Sequence, residues 1–483
     1  MAEGTRIMAA LLLQMSPIGL VIALILLLRR PPVQAALAGV AGVLLLWGLG
    51  AAQPLSAAVS GAILQDTLIL FLSTACVIVP GLAFVILVER ANAPQAIGAW
   101  VRELGWTPPM QVIFIVLGLA PLLEAMTGFG VSLIATVPLL MGLFSRQVGM
   151  KMALAGMVVM PWGTLGLATV IGALLAHVPA QELGSHSALV SAPVFLGLAA
   201  VALVLAGIRS LQAWLGLALI ALLFSTVLYA ANRWIGPEAS GVLAGLAVAS
   251  VGLGVSWARR GVLVRWPQAA WPYLALLAVI IASRGLFLLS GWDGLWVVHG
   301  TNVSWKPLAS PGLALLLVVL LMIGRQGAGF PWQALVNRAR FPVATIFLFL
   351  LLSQVMVKAG FLVEAQRALQ ALSGVSLAST VSLLAGLAGY VTGSNVGGNT
   401  LVMPSVAALS TVQGPWLAAM VNSAAGHGAL GSLSILSLII GLAGANREEE
   451  HGLIRFGFAL VLLNIVIVAA TGVVLLYLSG ASA

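Results

Sequence analysis

Long apolar runs recur along the whole chain, near 7–28, 33–50, 68–88, 188–208, 213–231, 238–257, 271–290, 311–323, 343–357 and 456–478. A run of about 17–25 apolar residues is long enough to cross the hydrocarbon core as a helix, and a helix satisfies its own backbone hydrogen bonds there. So many runs leave one expected fold class, an all-α polytopic membrane protein. Composition agrees, with 61% hydrophobic residues, 7% charged residues and a mean hydropathy of +1.14 over 483 residues. The interruptions between runs reach only about 20 residues, too short for a separate soluble module. The chain therefore reads as a single integral membrane unit, 1–483.

The formal charge of +9 does not point to nucleic acid, because the Lys and Arg stand singly between apolar segments and report topology instead. One cysteine, Cys76, excludes a disulfide framework and a cysteine metal cluster, and it reads as a small core residue. The first run ends at Arg29-Arg30-Pro31-Pro32 without a small-residue cleavage site, so it reads as a retained membrane helix. Between 291 and 310 lies a loop with Trp292, Trp296 and Trp305, residues suited to a membrane interface.

Two places break the pattern. Residues 110–123 and 131–144 are each too short to cross comfortably and are separated by Glu124-Ala125-Met126-Thr127-Gly128-Phe129-Gly130. Cations flank both ends, Arg90 and Arg102 before and Arg146 and Lys151 after, which predicts a re-entrant hairpin with both feet on one face. The run Met152–Ala176 follows, interrupted at Met160–Gly166 by proline and glycines, and reads as a discontinuous helix. The second half repeats this grammar. Residues 376–391 and 401–411 flank Thr392–Thr400, TGSNVGGNT, and Pro415–Ala443 is then interrupted at Asn422–Gly428. The expected repeats are 68–176 and 343–444.

With the N-terminus outside and about 12 spans plus two hairpins, Arg6, Arg233, Lys306, Lys358 and Arg367 fall outside and Arg284 falls within a span. The other fifteen of the 21 Lys and Arg then fall inside, as the positive-inside rule requires, and both termini are outside. The two hairpins open to opposite faces. Such inverted repeats with broken helices are the pattern of secondary transporters, which hold substrate between the breaks near the midplane.

Polar residues at membrane depth mark the candidate site. Glu124 is the acid of the first tip; an ionised carboxylate is costly there, which suits it to carry a proton. His427 is the second candidate for proton coupling. Half-helix N-termini favour an anion. Thr127, Gly128, Gly130, Thr164, Thr392, Ser394, Asn395, Gly397, Asn399, Thr400, Asn422 and Ser423 are the candidate substrate-binding residues, by backbone or side chain. Arg284 sits near the end of its run and reads as a snorkelling side chain. Asp66, Asp293 and Glu364 read as segment-edge acids. No zinc-ligand spacing, phosphate-binding loop or dinucleotide fingerprint occurs in a matching context, and a Ser423–His427 pair lacks an acid to orient it. No metal and no resident cofactor are expected; the cotransported species is H+, with Na+ as the alternative.

Leu123-Glu124-Ala125-Met126-Thr127-Gly128-Phe129-Gly130 resembles the LEGxxGFG segment of the bacterial lactate permease family. Thr392-Gly393-Ser394 through Asn399 resembles its TGSDxSSN segment, and Asn422-Ser423 with Gly426, Arg455-Phe456 and Ser310-Pro311-Gly312 follow in matching order. The resemblance runs from about 110 to 460 and is weak between 200 and 300. It implies a multi-pass protein of the bacterial inner membrane that imports lactate, and often glycolate, with protons. It also implies a broader likeness to hairpin-containing ion transporters that work as elevators in homodimers. Two positions depart from the family: its acid in the second motif is Asn395 here, and its basic Gly-Lys segment reads Gly428-Ala429-Leu430-Gly431-Ser432-Leu433.

The expected function is H+ symport of a small monocarboxylate, lactate or glycolate, with a small organic anion and the lipid bilayer as partners. The alternatives are a Na+-coupled transporter of another organic anion, an integral-membrane enzyme acting on lipid, and a passive channel.

Overall fold

The computed structural model describes residues 2–54, 56–128, 130–261, 264–326, 329–372, 374–407, 409 and 414–480. Phe129 of the first tip, residues 410 and 411 of the second hairpin, and the side chains of Arg6 and Asp293 lie outside the described residues.

The described chain is almost wholly helical. It opens with α1 (Ala2–Leu26), α2 (Pro32–Gly48) and α3 (Ala57–Arg90). Helix α3 starts well before the apolar run, because the Ser56 hydroxyl accepts the Val59 N–H at 3.2 Å and caps it. Asp66 is thereby placed inside a helix rather than at a segment edge, and it is fully buried. Cys76, on the same helix, is exposed on the apolar exterior and not in the core. A short amphipathic α4 (Ala93–Glu103) leads to the first hairpin.

That hairpin rises as α5 (Pro108–Phe114), a π-helical turn at Ile115–Leu119 and α6 (Ala120–Thr127), and returns as α7 (Ser132–Leu143). The outgoing limb is longer than the apolar run suggested, 20 residues against 12 for the return. Both feet share one face: a Cβ placed on Gly142, at the end of α7, would lie 3.2 Å from Arg102 at the end of α4. Next come α8 (Arg146–Ala155) and α9 (Gly163–Ala176), bent by 59° about the expected Pro161 break. The spans α10 (Ala180–Leu205), α11 (Leu211–Trp234), α12 (Pro237–Arg260) and α13 (Trp271–Ser290) follow. The Trp-rich loop forms a small antiparallel strap, β1 (Val298–His299) paired with β2 (Ser304–Trp305).

The second half runs α14 (Pro311–Gln326), α15 (Trp332–Lys358), the short amphipathic α16 (Val363–Gln370), a hairpin of α17 (Gly374–Thr392) and α18 (Asn395–Ala407), then α19 (Gly414–Ala429), α20 (Leu433–Ala443) and α21 (Arg447–Leu478). Element for element this repeats α2 through α10: two helices, an amphipathic helix, a hairpin with unequal limbs, a broken helix and a long span. Again both feet of the hairpin share a face, since Gln366 on α16 donates to the Pro404 carbonyl on α18 at 3.4 Å.

Ion pairs set the two repeats against each other. Arg338 near the start of α15 meets Glu89 at the end of α3 at 2.7 Å, and Lys358 at the end of α15 meets Asp66 at 2.8 Å. Helices α3 and α15 are therefore antiparallel. As each leads into its own hairpin, the hairpins enter from opposite faces. Eleven helices among the described residues are long and apolar enough to cross, or twelve with the bent pair as one span. That tally includes the long limbs of both hairpins and passes over the shorter α2 and α14, so topology gives twelve spans and two hairpins.

Three readings of the sequence are corrected. Residues Asn422–Gly428 are helical; the break lies at Leu430–Ser432, where Ser432 starts α20 by accepting the Ile435 N–H. The glycines there serve close packing, Gly426 against Pro161 and Gly428 against the Gly386 carbonyl. Arg284 does not snorkel: it meets Glu238 of α12 at 2.9 Å and donates to the Ala309 carbonyl at 2.8 Å. Asp66 and Cys76 exchange places, the acid in the interior and the thiol outside.

Candidate functional site

Both hairpins end in the same dipeptide, Thr127-Gly128 and Thr392-Gly393. Each threonine hydroxyl donates back to the carbonyl four residues earlier, Thr127 to Leu123 at 2.6 Å and Thr392 to Ala388 at 2.8 Å. Each glycine then reverses the chain in the left-handed region, with φ of 68° and 67°. Each is also pressed against the broken helix of its own repeat. A Cβ on Gly128 would overlap the Thr164 hydroxyl of α9, and one on Gly393 would overlap the Ser434 hydroxyl of α20.

The first break is held open by its backbone. Thr164, Leu165 and Gly166 are all left-handed, which costs the two non-glycine residues about 1–2 kcal/mol each. The Thr169 hydroxyl reaches back across the break to the Pro161 carbonyl at 2.7 Å. The first break packs against the unbroken part of α19, where Gly426 lies on Pro161.

Between the tips, the breaks and α15 lies a cavity of about 530 Å³. Its lining takes Glu124 from the first tip, Gly163, Thr164, Leu167 and Ala168 from α9, Thr392–Gly397 from the second tip, Ser434 and Ile435 from α20, and Phe341–Phe349 positions of α15. It reaches Pro31–Gln34 between α1 and α2, beside Arg29 and Arg30. The N-terminal ends of α9, α18 and α20 all face it, which gives it a positive backbone potential, and the Ser394 and Ser432 hydroxyls already accept the Gly397 and Ile435 N–H groups there. Among the lining residues Glu124 is the only ionisable one.

Glu124 is 1% exposed. One oxygen accepts the Gly130 N–H at 3.2 Å and the other accepts the Ser132 hydroxyl at 2.7 Å. No cation pairs with it among the described residues. A buried carboxylate with two donors and no counter-charge carries a desolvation cost of about several kcal/mol, which uptake of a proton removes.

No protein-family model matches the chain, and no curated protein matches it.

Glu124, Thr164, Thr392, Ser394, Asn395 and Gly397 line the cavity. Thr127, Gly128, Gly130 and Thr400 shape the tips behind it, Thr400 by donating to the Gly397 carbonyl at 2.8 Å. A neutral amide network backs the second tip. Asn395 and Asn399, one turn apart on α18, both donate to Asn422 Oδ1, at 3.3 and 3.0 Å. Asn422 in turn donates to the Thr169 and Ser187 hydroxyls at 3.0 Å, and Ser423 donates to the Ser187 carbonyl at 3.2 Å. Among the described residues the side-chain amide oxygens of Asn395 and Asn399 are buried without a donor.

His427 is not part of this assembly. It is fully buried outside the cavity lining with its ring 5.9 Å from Phe195, and among the described residues neither nitrogen has a partner. Sequence reasoning missed Ser132, the second donor to Glu124, and Ser434, opposite the second tip. Ser434 had a visible signal: with Ser432 it follows Gly431 and interrupts an apolar run. Ser132 had none beyond being polar at depth. Among the described residues no group of three His, Cys, Asp or Glu is placed to hold a metal ion.

Proposed function

We propose that this protein is a secondary active transporter that imports a small monocarboxylate, lactate or glycolate, by H+ symport. Many apolar helices are consistent with a membrane transporter. The observation that carries the finer reading is the cavity's charge: helix N-termini offer donors to an anion, and Glu124 is its lone ionisable side chain. A substrate carboxylate beside an ionised Glu124 would put two like charges in a low dielectric without a cation between them. One proton on Glu124 removes that conflict, so anion and proton travel together. The resemblance to lactate permeases around Glu124–Gly130 and Thr392–Asn399 supports the same substrate class. On this reading the protein resides in a bacterial inner membrane with both termini outside, works as a homodimer, and moves its hairpins as an elevator.

Sodium coupling is the second reading, favoured by the donor-free oxygens of Asn395 and Asn399, since hard neutral oxygens suit an alkali cation. Uptake into proteoliposomes separates the two. An inward proton gradient drives accumulation of lactate in choline medium if the first reading holds. Accumulation that requires sodium and ignores the proton gradient overturns it.

A further inference from the structure

A second cavity, of about 180 Å³, lies on the opposite face of the molecule, and we propose that it is the other mouth of the same substrate path. The inference rests on the transport reading above.

Both cavities sit on one seam, where α18 packs on α9 and on α15. The first cavity is lined on α9 as far as Ala168 and on α15 as far as Phe349. The second begins at Leu174 on α9 and Gln354 on α15. At a rise of about 1.5 Å per residue, the six residues from Ala168 to Leu174 and the five from Phe349 to Gln354 span only about 9 and 7.5 Å. That thin layer of packed side chains is what separates the two faces along the seam.

The second cavity carries on its wall four polar side chains, His177, Asn302, Gln354 and Gln366, that can hydrogen-bond a polar solute. Its volume equals that of about six waters at roughly 30 Å³ each, enough for the six non-hydrogen atoms of lactate. One wall is anchored. Asp66 accepts the Thr301 N–H at 2.7 Å and the Lys358 ammonium at 2.8 Å, which ties the β1–β2 strap carrying Asn302 to α3 and α15. The opposite wall, Leu174, His177, Pro404 and Ala407, belongs to α9, its C-cap and α18, two of the three helices whose N-termini face the first cavity. A long 3.4 Å hydrogen bond from Gln366 to the Pro404 carbonyl crosses the gap. Displacing α9 and α18 along α15 by about a turn and a half shuts one cavity and opens the other.

The lone Cys76 makes the test direct, because it is exposed outside both cavities and Cys76→Ser removes it. In that background Leu174→Cys marks the second cavity and Thr345→Cys the first. A membrane-impermeant thiol reagent is applied from either side of sealed vesicles. The two sites are expected to label from opposite faces, lactate with a proton gradient is expected to change their rates in opposite directions, and labelled Leu174→Cys is expected to lose uptake at least tenfold. Leu174→Cys that labels without loss of uptake, or that ignores lactate, overturns the second mouth. A disulfide between Gln366→Cys and Pro404→Cys supplies an independent arm: it is expected to stop uptake until reduced, and uptake that survives the crosslink overturns the parting of the walls. Cys76→Ser protein that carries no lactate overturns the transport reading and the second mouth with it, whereas uptake with an inert Leu174→Cys overturns the second mouth alone.

Discussion

The two hairpin tips share a backbone and differ in chemistry. Each turns on Thr-Gly, each glycine is left-handed, and each presses on the broken helix of its own repeat. Yet the first tip presents a carboxylate held by Gly130 and Ser132, while the second presents amides tied to Asn422. Inverted repeats thus supply shape twice and charge once. In a cavity lined by no basic side chain, one carboxylate is the number that a single proton can neutralise.

The largest effect tests the charged tip. Glu124→Gln keeps the shape and removes the titratable group, so proton-driven accumulation of lactate is expected to fall by about 10²-fold or more, the scale for losing a proton-transferring group. Counterflow of lactate without a gradient is expected to persist. The next test challenges the shared backbone. Gly128→Ala and Gly393→Ala each add a Cβ to a left-handed residue in full contact, which is expected to cost about 2–4 kcal/mol in either tip. Thermal unfolding in detergent checks this, and a loss at one tip but not the other breaks the equivalence.

Making the tips alike in charge is the third test. Asn395→Asp places a second carboxylate on the cavity, and uptake at neutral pH is expected to drop about tenfold, for about 1.4 kcal/mol of unfavourable charge, and to recover in acid. Ser132→Ala removes one of the two donors to Glu124, which favours the neutral carboxyl. The pH at which uptake is half-maximal is expected to move to more alkaline values while Ser132→Thr restores it. The smallest effect is expected for His427→Gln, because the ring lies outside the cavity with no hydrogen-bond partner among the described residues. Its proton dependence should match that of the unaltered protein, and a lost dependence would return His427 to the proton path.

Which parts of this were legible in the sequence follows from physics. Apolar runs report spans, and polar residues at membrane depth report the tips, because lipid cannot satisfy them. Pro161 with Gly163 and Gly166 announced the first break through missing hydrogen bonds and relaxed backbone. The second break was misplaced because Gly426 and Gly428 are equally suited to close helix packing, and only tertiary contacts show that they serve it. The Asp66–Lys358 and Glu238–Arg284 pairs join residues far apart in the chain, so neither acid could be matched to its cation beforehand. Ser132 became visible as a donor only once α7 folded back on the tip.

The central claim, that Glu124 carries the proton that accompanies the anion, is tested most directly by recording internal pH in proteoliposomes as lactate is added outside. Lactate entry is expected to acidify vesicles holding the unaltered protein, and Glu124→Gln protein, though still exchanging lactate, is expected to move no protons with it. Lactate-dependent acidification by Glu124→Gln protein at the unaltered rate would contradict it.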